Sequence, residues 1–234
     1  MFARSLSICF VATALMSTYA SGSLVYDLAL RVPGQKPSMG AIITLKPGQR
    51  ILGVELLLIE TVLPGSESIF KNDAQTVAFD GTINRSGNLL AFSADLSANG
   101  ADGRFEKLVV NSSGGGPSPI NDGDTVGYFA LGIFGQTGVM PTTTDADTAE
   151  AVLGTVDLIA PLTGSTTFTL ADYSMDDGDF TTFSTGSLEA AARGSGGSFN
   201  PNSLTLTAVP EPSALLHLIA VFACIGLKRS RLQA

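Results

Sequence analysis

Leu24-Val-Tyr-Asp-Leu-Ala-Leu-Arg-Val32 decides the fold class. Leu24, Tyr26, Leu28, Leu30 and Val32 fall on one side of an extended chain, and Val25, Asp27, Ala29 and Arg31 on the other. A period of two marks a strand with one buried face. Outward from it, Ala41–Leu45 is a second short run, and Pro47-Gly48 turns the chain into Ile51–Val62. There Leu56-Leu57-Leu58-Ile59 predicts a strand buried on both faces. The series continues with Thr76–Phe79, Asn88–Leu96, Phe105–Val110, Thr125–Phe134, Ala151–Ile159, Thr166–Leu170, Phe180–Phe183 and Ser203–Ala208. Turn signals separate these runs. Ser187–Arg193 is the one helical competitor, with strong propensity but short. No repeat of fixed period argues for a solenoid. Many short strands without a long helix predict an all-β fold, an antiparallel β-sandwich spanning residues 21–208. Gly194–Asn202 reads as a loop or the start of a linker.

That body is acidic. Residues 21–208 carry nine Lys/Arg against twenty Asp/Glu, a net charge of −11. Such a surface repels phosphate backbones, so no nucleic-acid partner is expected. Both cysteines, Cys9 and Cys224, and the one histidine, His217, lie outside the body, and the chain has no Trp. A Ser-His-Asp or Cys-His nucleophile therefore has no base. Zinc, copper and haem lack their usual ligands. No disulfide staples the body, so a hydrophobic core must hold it.

Dense oxygen donors occur at Asp176-Asp177-Gly178-Asp179 and Asn121-Asp122-Gly123-Asp124. Asp172, Asp176, Asp177 and Asp179 are the calcium candidates. An EF-type loop, however, needs a Glu six residues after its Gly, and none follows, so Asp-Gly turn chemistry is the simpler reading. No cofactor is expected. Paired carboxylates such as Glu55, Glu150 and Asp157 are the material for a histidine-free glycosidase. With Tyr26, Tyr128 and Tyr173 as the only body tyrosines and no Trp, aromatic sugar platforms are scarce. The chain is expected not to be an enzyme. Asn84-Arg-Ser86 and Asn111-Ser-Ser113 match the glycosylation sequon. The segments Asn111–Asp124 and Gly135–Glu150 read as long loops, the usual seats of recognition at sandwich ends.

The two ends carry sorting information. Met1–Ala20 has Arg4 as a charged n-region, an apolar stretch Leu6–Met16 and a small-residue site ending at Ala20, the expected cleavage point of a secretory signal peptide. At the other end, Val209-Pro-Glu-Pro-Ser213 stops any helix, and Ser213 is placed to cap one at Ala214. Ala214–Leu227 is apolar, though short for a membrane span, and Lys228, Arg229 and Arg231 follow as a cytoplasmic-type basic end.

This tail (residues 209–234) resembles the PEP-CTERM sorting signal of exported bacterial proteins. Val209, Pro210, Glu211, Pro212 and Ser213 supply its motif, residues 214–227 its transmembrane helix, and Lys228, Arg229 and Arg231 its basic terminus. The resemblance implies export by the Sec machinery, transient residence in the inner membrane through the C-terminal helix, and handling by an exosortase. Release to the cell surface or the extracellular exopolysaccharide matrix would follow. The body is similar in rhythm to cohesin-type sandwiches and carbohydrate-binding modules, with a jelly-roll-like strand pattern. Gly154-Thr-Val-Asp-Leu-Ile159, Gly164-Ser-Thr-Thr-Phe-Thr-Leu170 and Lys46-Pro-Gly-Gln49 before Ile51–Glu60 carry that similarity. The whole reads as an exported surface or biofilm-matrix protein with a structural or adhesive role. Its partners would be exopolysaccharide or surface proteins. The alternative is a carbohydrate-binding or cohesin-like protein-binding module, and a carboxylate glycosidase is the remaining option.

Overall fold

Alternating apolar residues do fold as strands. The computed structural model describes residues 22–77, 81, 83–111, 120–121, 126–132, 138–173 and 178–209, with 120–121 and 126–132 described by backbone alone. Among these the strands are β1 (Leu24–Arg31), β2 (Ala41–Leu45), β3 (Arg50–Val62), β4 (Gln75–Val77), β5 (Ile83–Arg85), β6 (Leu89–Gly100) and β7 (Arg104–Val110). They continue as β8 (Ile120–Asn121), β9 (Val126–Gly132), β10 (Thr142–Thr143), β11 (Thr148–Ile159), β12 (Ser165–Asp172), β13 (Thr181–Thr182) and β14 (Ser198–Ala208). One helix, α1 (Leu188–Gly194), precedes β14.

Two layers result. The first sheet runs β11-β3-β1, all antiparallel, with β7 and β10 along the outer edge of β11. The second runs β2-β14-β12-β6-β9-β8, with β13 added to β6. β4 and β5 pair with each other alone. Strand β14 belongs to both layers. Its residues Ser198–Pro201 pair with Val25–Leu28 of β1, and Leu204–Ala208 pair with β2. Pro201 has no N–H for a ladder and is the last residue paired to β1, so the strand changes sheets there.

Both β14–β1 and β14–β2 are parallel, so the expected purely antiparallel sandwich is corrected to a mixed one. Gly194–Asn202, expected as a loop or the start of a linker, is the end of α1, a short turn and the first half of β14. Ser187–Arg193 does form the helix. The Ser187 side chain accepts from the Ala190 N–H, which starts α1. The loop expected over Gly135–Glu150 contains β10 and the first residues of β11. The signal peptide, the motif from Pro210 and the apolar helix over 214–227 lie outside the described residues. Among the described residues no helix is long and apolar enough to cross a membrane.

The core explains the alternation. Leu24, Tyr26, Leu28 and Leu30 of β1 and Leu56 and Leu58 of β3 face Phe92, Leu96, Phe168, Leu170, Leu204 and Leu206 of the other sheet. A run of rings bridges the layers: Phe70 edge-on to Tyr26 at 5.8 Å, Tyr26 on Phe199 at 5.7 Å, Phe199 against Phe180 at 5.0 Å, and Phe180 over Phe92 at 6.2 Å. Such pairs add to burial through ring electrostatics. Leu57 and Ile59, on the opposite face of β3, pack with Ala29 in a second small cluster, so this strand is buried on both faces.

Two carboxylates sit inside this apolar layer, Glu60 and Glu189. Glu60 is fully buried and accepts from Tyr26 Oη at 2.7 Å, from Ser68 Oγ, and from the N–H groups of Ile69 (3.0 Å) and Phe70 (3.2 Å). It thereby pins the loop after β3. Burial, then the negative field of Glu60, pushes the Tyr26 hydroxyl far above its usual range and keeps it a donor.

Candidate functional site

The outward residues of β2, β14, β12 and β6 are mostly polar, and Asp95 is the one charge among them. Pairing in register lays them in rows: Thr44, Thr207 and Ser165; Ile42, Thr205, Thr167 and Asn99; Ser203, Thr169 and Ser97. Neighbouring hydroxyls bond across strands, Ser165 Oγ to Thr207 Oγ1 and Thr167 Oγ1 to Thr205 Oγ1, each at 2.9 Å. The next row places Ala171 beside Asp95, whose partner on β9 is Tyr128. Tyr173 follows Ala171 in the same alternation and is 58% exposed. Partial burial pushes the Asp95 carboxyl above its usual value. One step along β6, Ser93 Oγ donates to Asp179.

No Lys or Arg occupies an outward position of β2, β14, β12 or β6. What this face offers is a set of hydroxyls, an amide, one carboxylate and an exposed ring. It can bind by hydrogen bonding and stacking.

The outer face of the first sheet is charged, and most of its charges are tied to one another, while Asp27 accepts from the Asn200 amide at 3.0 Å. Arg31 Nε donates to Glu55 at 2.6 Å, and its Nη1 pairs with Glu150. Arg31 stands opposite Glu55 in register, while Glu150 stands opposite Ile59. Leu57 lies between Glu55 and Ile59 on that face, so a guanidinium held by both carboxylates crosses over Leu57 and shields its cluster. Burial opposes the Arg31 charge, but the hydrogen bonds to Glu55 and Glu150 outweigh it and raise the guanidinium above its usual value.

Asp157 organises a second knot. Opposite it the register shifts on both neighbours, β3 and β7. Gly53 (φ 63°) and Lys107 (φ 53°) sit in those bulges in the left-handed region. Gly53 N–H donates to Asp157 Oδ1 at 2.9 Å, and Lys107 Nζ lies 3.2 Å from Oδ2. Lys107 pays a backbone strain that glycine would not, and the contact to Asp157 offsets it. The Gly53 N–H and then the Lys107 ammonium hold the Asp157 carboxyl below its usual value.

These placements answer the site expectations one by one. Glu55, Glu150 and Asp157 are all engaged in ion pairs or backbone bonds. Of the calcium candidates, Asp172 ends β12, Asp179 accepts from Ser93, and Asp176 and Asp177 lie outside the described residues. Among the described residues no cluster of three acidic, His or Cys ligands occurs. Asn84 is 3% exposed on β5, which closes that sequon to modification. Asn111 Nδ2 donates to the Val152 carbonyl at 2.8 Å. In the Gly135–Glu150 segment, Lys71 Nζ donates to the carbonyls of Asp145 (2.9 Å) and Ala146 (2.6 Å), fixing the turn.

Of the sorting residues only Val209 is described; its N–H donates to the Leu45 carbonyl at 3.0 Å, directly after β14. Pro210, Glu211, Pro212, Ser213, Lys228, Arg229, Arg231 and the cleavage residue Ala20 lie outside the described residues. Asp95 is the site residue that sequence reading passed over. The polar row Ser93-x-Asp95-x-Ser97-x-Asn99, alternating with apolar residues, was the available signal.

No known family and no curated protein matches the chain. Among solved structures, a chain from the crystal structure of a CaDoc0917–CaCohA2 complex is similar at 8% identity with a TM-score of 0.39, over 79% of this chain and 100% of that one. The seventh ScaB type I cohesin from Pseudobacteroides cellulosolvens is similar at 10% identity with a TM-score of 0.40, over 79% of this chain and 94% of that one. The β-sandwich stands on its own strand pairings.

Proposed function

We propose that this chain is an exported, non-catalytic module of a bacterial surface or exopolysaccharide matrix, with a structural or adhesive role, that holds a neutral glycan on the outer face of its second sheet. The chemistry of that face carries the reading. Ser97, Thr167, Thr169, Ser203, Thr205 and Thr207 offer hydroxyls, Asp95 a carboxylate acceptor and Tyr173 an exposed ring. Sugar hydroxyls bond such groups, and a pyranose face stacks on a tyrosine. An anionic polymer would meet a carboxylate, no cation on that face and a body of charge −11. A pleated sheet also presents its groups already ordered, which lowers the entropy lost on binding.

Delivery follows from the two ends: a Sec signal peptide cleaved after Ala20, then a PEP-CTERM-like tail read by an exosortase. The end of β14 at Ala208 supports that arrangement, because the motif begins at Val209 with almost no linker. A cohesin-like protein-binding module is the second reading, favoured by the fixed ionic pattern of Arg31, Glu55 and Glu150 on the opposite face. Retention on immobilised matrix polysaccharide separates the two. Asp95→Asn with Tyr173→Ala should cut retention by about tenfold or more, the value of one charge-assisted hydrogen bond and a stacking contact. Arg31→Ala should leave it unchanged. Equal retention of the double variant, or loss only with Arg31→Ala, would sink the glycan reading.

A further inference from the structure

We infer that β2 docks a second copy of this chain by strand addition. Sheet edges invite pairing with other chains, and proteins blunt them by shortness, charge, proline or bulges. Several described edges are blunted in these ways. β8 and β10 have two residues each, and β7 carries Arg104, Glu106 and Lys107, with Lys107 in a bulge. β2 has none of these protections. Ala41-Ile-Ile-Thr-Leu45 is five residues long, uncharged and in unbroken register with β14, and Ile42 is 70% exposed.

The free hydrogen-bonding groups can be assigned. Val209 N–H donates to Leu45 C=O at 3.0 Å and Ala208 N–H to Gly164 C=O at 2.9 Å, so odd-numbered residues of β14 face β2 and even-numbered ones face β12. Ala41, Ile43 and Leu45 then bond to β14, and the N–H and C=O of Ile42 and Thr44 point along the open edge. A two-fold axis through Ile43 satisfies all four groups. It sets Ile42 opposite Thr44 of the second copy, each pair exchanging two hydrogen bonds, and Thr44 opposite the other Ile42. Lys46 then falls opposite Gly40, so no like charges meet at the seam. A two-fold through Ile42 would instead set Thr44 against Gly40, whose N–H is already given to Ser203 at 3.0 Å.

The partner is a second copy because this neutral, self-complementary strand closes on itself in an isologous pair. A seam of five residues falls well below the roughly 1,000 Å² of a stable interface. The dimer is therefore weak and concentration-dependent, formed where copies are crowded on a surface. Two acidic bodies repel, so added salt should tighten it.

Cysteine pairing tests the register in the full chain carrying Cys9→Ser and Cys224→Ser. Directly opposed residues of a hydrogen-bonded antiparallel pair lie within disulfide reach. Mixing Ile42→Cys chains with Thr44→Cys chains should give several-fold more covalent dimer than either alone, and more at high salt. By sedimentation, the mass of the unmodified chain should rise with concentration, and that of Ile42→Lys should stay monomeric with an unchanged unfolding midpoint. Equal cross-linking in all three mixtures overturns the inference. So does a chain that stays monomeric throughout, even one that captures an unrelated extended peptide, and so does a dimer indifferent to Ile42→Lys.

Discussion

Burial pushes the Asp95 carboxyl up, while the Gly53 N–H and Lys107 pull the Asp157 carboxyl down. Opposite shifts give opposite pH behaviour. A lowered folded value means that Asp157 contributes stability above its unfolded value near 3.8 and loses it as pH falls through the folded value. Asp157→Asn should therefore lower the thermal midpoint at neutral pH, with the gap closing below about pH 4. For Asp95 the raised value means that ionisation works against folding once pH exceeds the unfolded value. Asp95→Asn should raise the neutral-pH midpoint, with the gain vanishing below about pH 4, while weakening glycan retention. A stability gain paired with a binding loss is what a functional carboxylate leaves behind. Glu60 behaves differently, as a structural group. Glu60→Leu strands the Tyr26 hydroxyl, the Ser68 hydroxyl and two N–H groups in the core, and should cost about 3–5 kcal/mol in denaturant unfolding.

Elements were legible in proportion to their hydrophobic period. β1 and the doubly buried β3 stand out because Leu, Val and Ile mark their buried positions, and Lys46–Gln49 closes by the expected turn, Gln49 N–H to Lys46 C=O at 3.0 Å. The first half of β14 was hidden. Ser198-Phe-Asn-Pro-Asn202 has one apolar residue and a proline, and only pairing beside β1 makes it a strand. Parallel pairing was not legible either, since a strand's own residues do not name its neighbour. β5, β8 and β10 are three residues or fewer and carry no period. Glu150 inside β11 looks like a strand breaker until Arg31 is seen holding it. For α1, the Ser187 side chain accepts from Ala190 N–H at 3.0 Å and donates to the buried Glu189 at 2.8 Å. Ser187→Ala should destabilise by about 1 kcal/mol, read as a shift in the urea midpoint without a change in slope.

At the scale of the molecule, two layers stitched by β14 and a run of five rings replace the covalent staples that the body lacks. Reductant should therefore leave the unfolding midpoint unchanged, because both cysteines lie outside residues 21–208. The two outer faces divide the surface into a neutral hydroxyl field and a self-paired ionic one. The sorting proposal rests on charge, apolar length and proline placement, which are local properties of the sequence. The proposed binding face was not legible there, because it needs Asp95 of β6 and Tyr173 after β12 placed on one face.

Export with tail processing is the central claim, and the intact mass of the protein from cells with and without the exosortase tests it most directly. The account predicts a product that begins near Ser21 and ends close to Val209–Ser213 only when the enzyme is present. A mature form that keeps Lys228–Ala234 in both strains would contradict it.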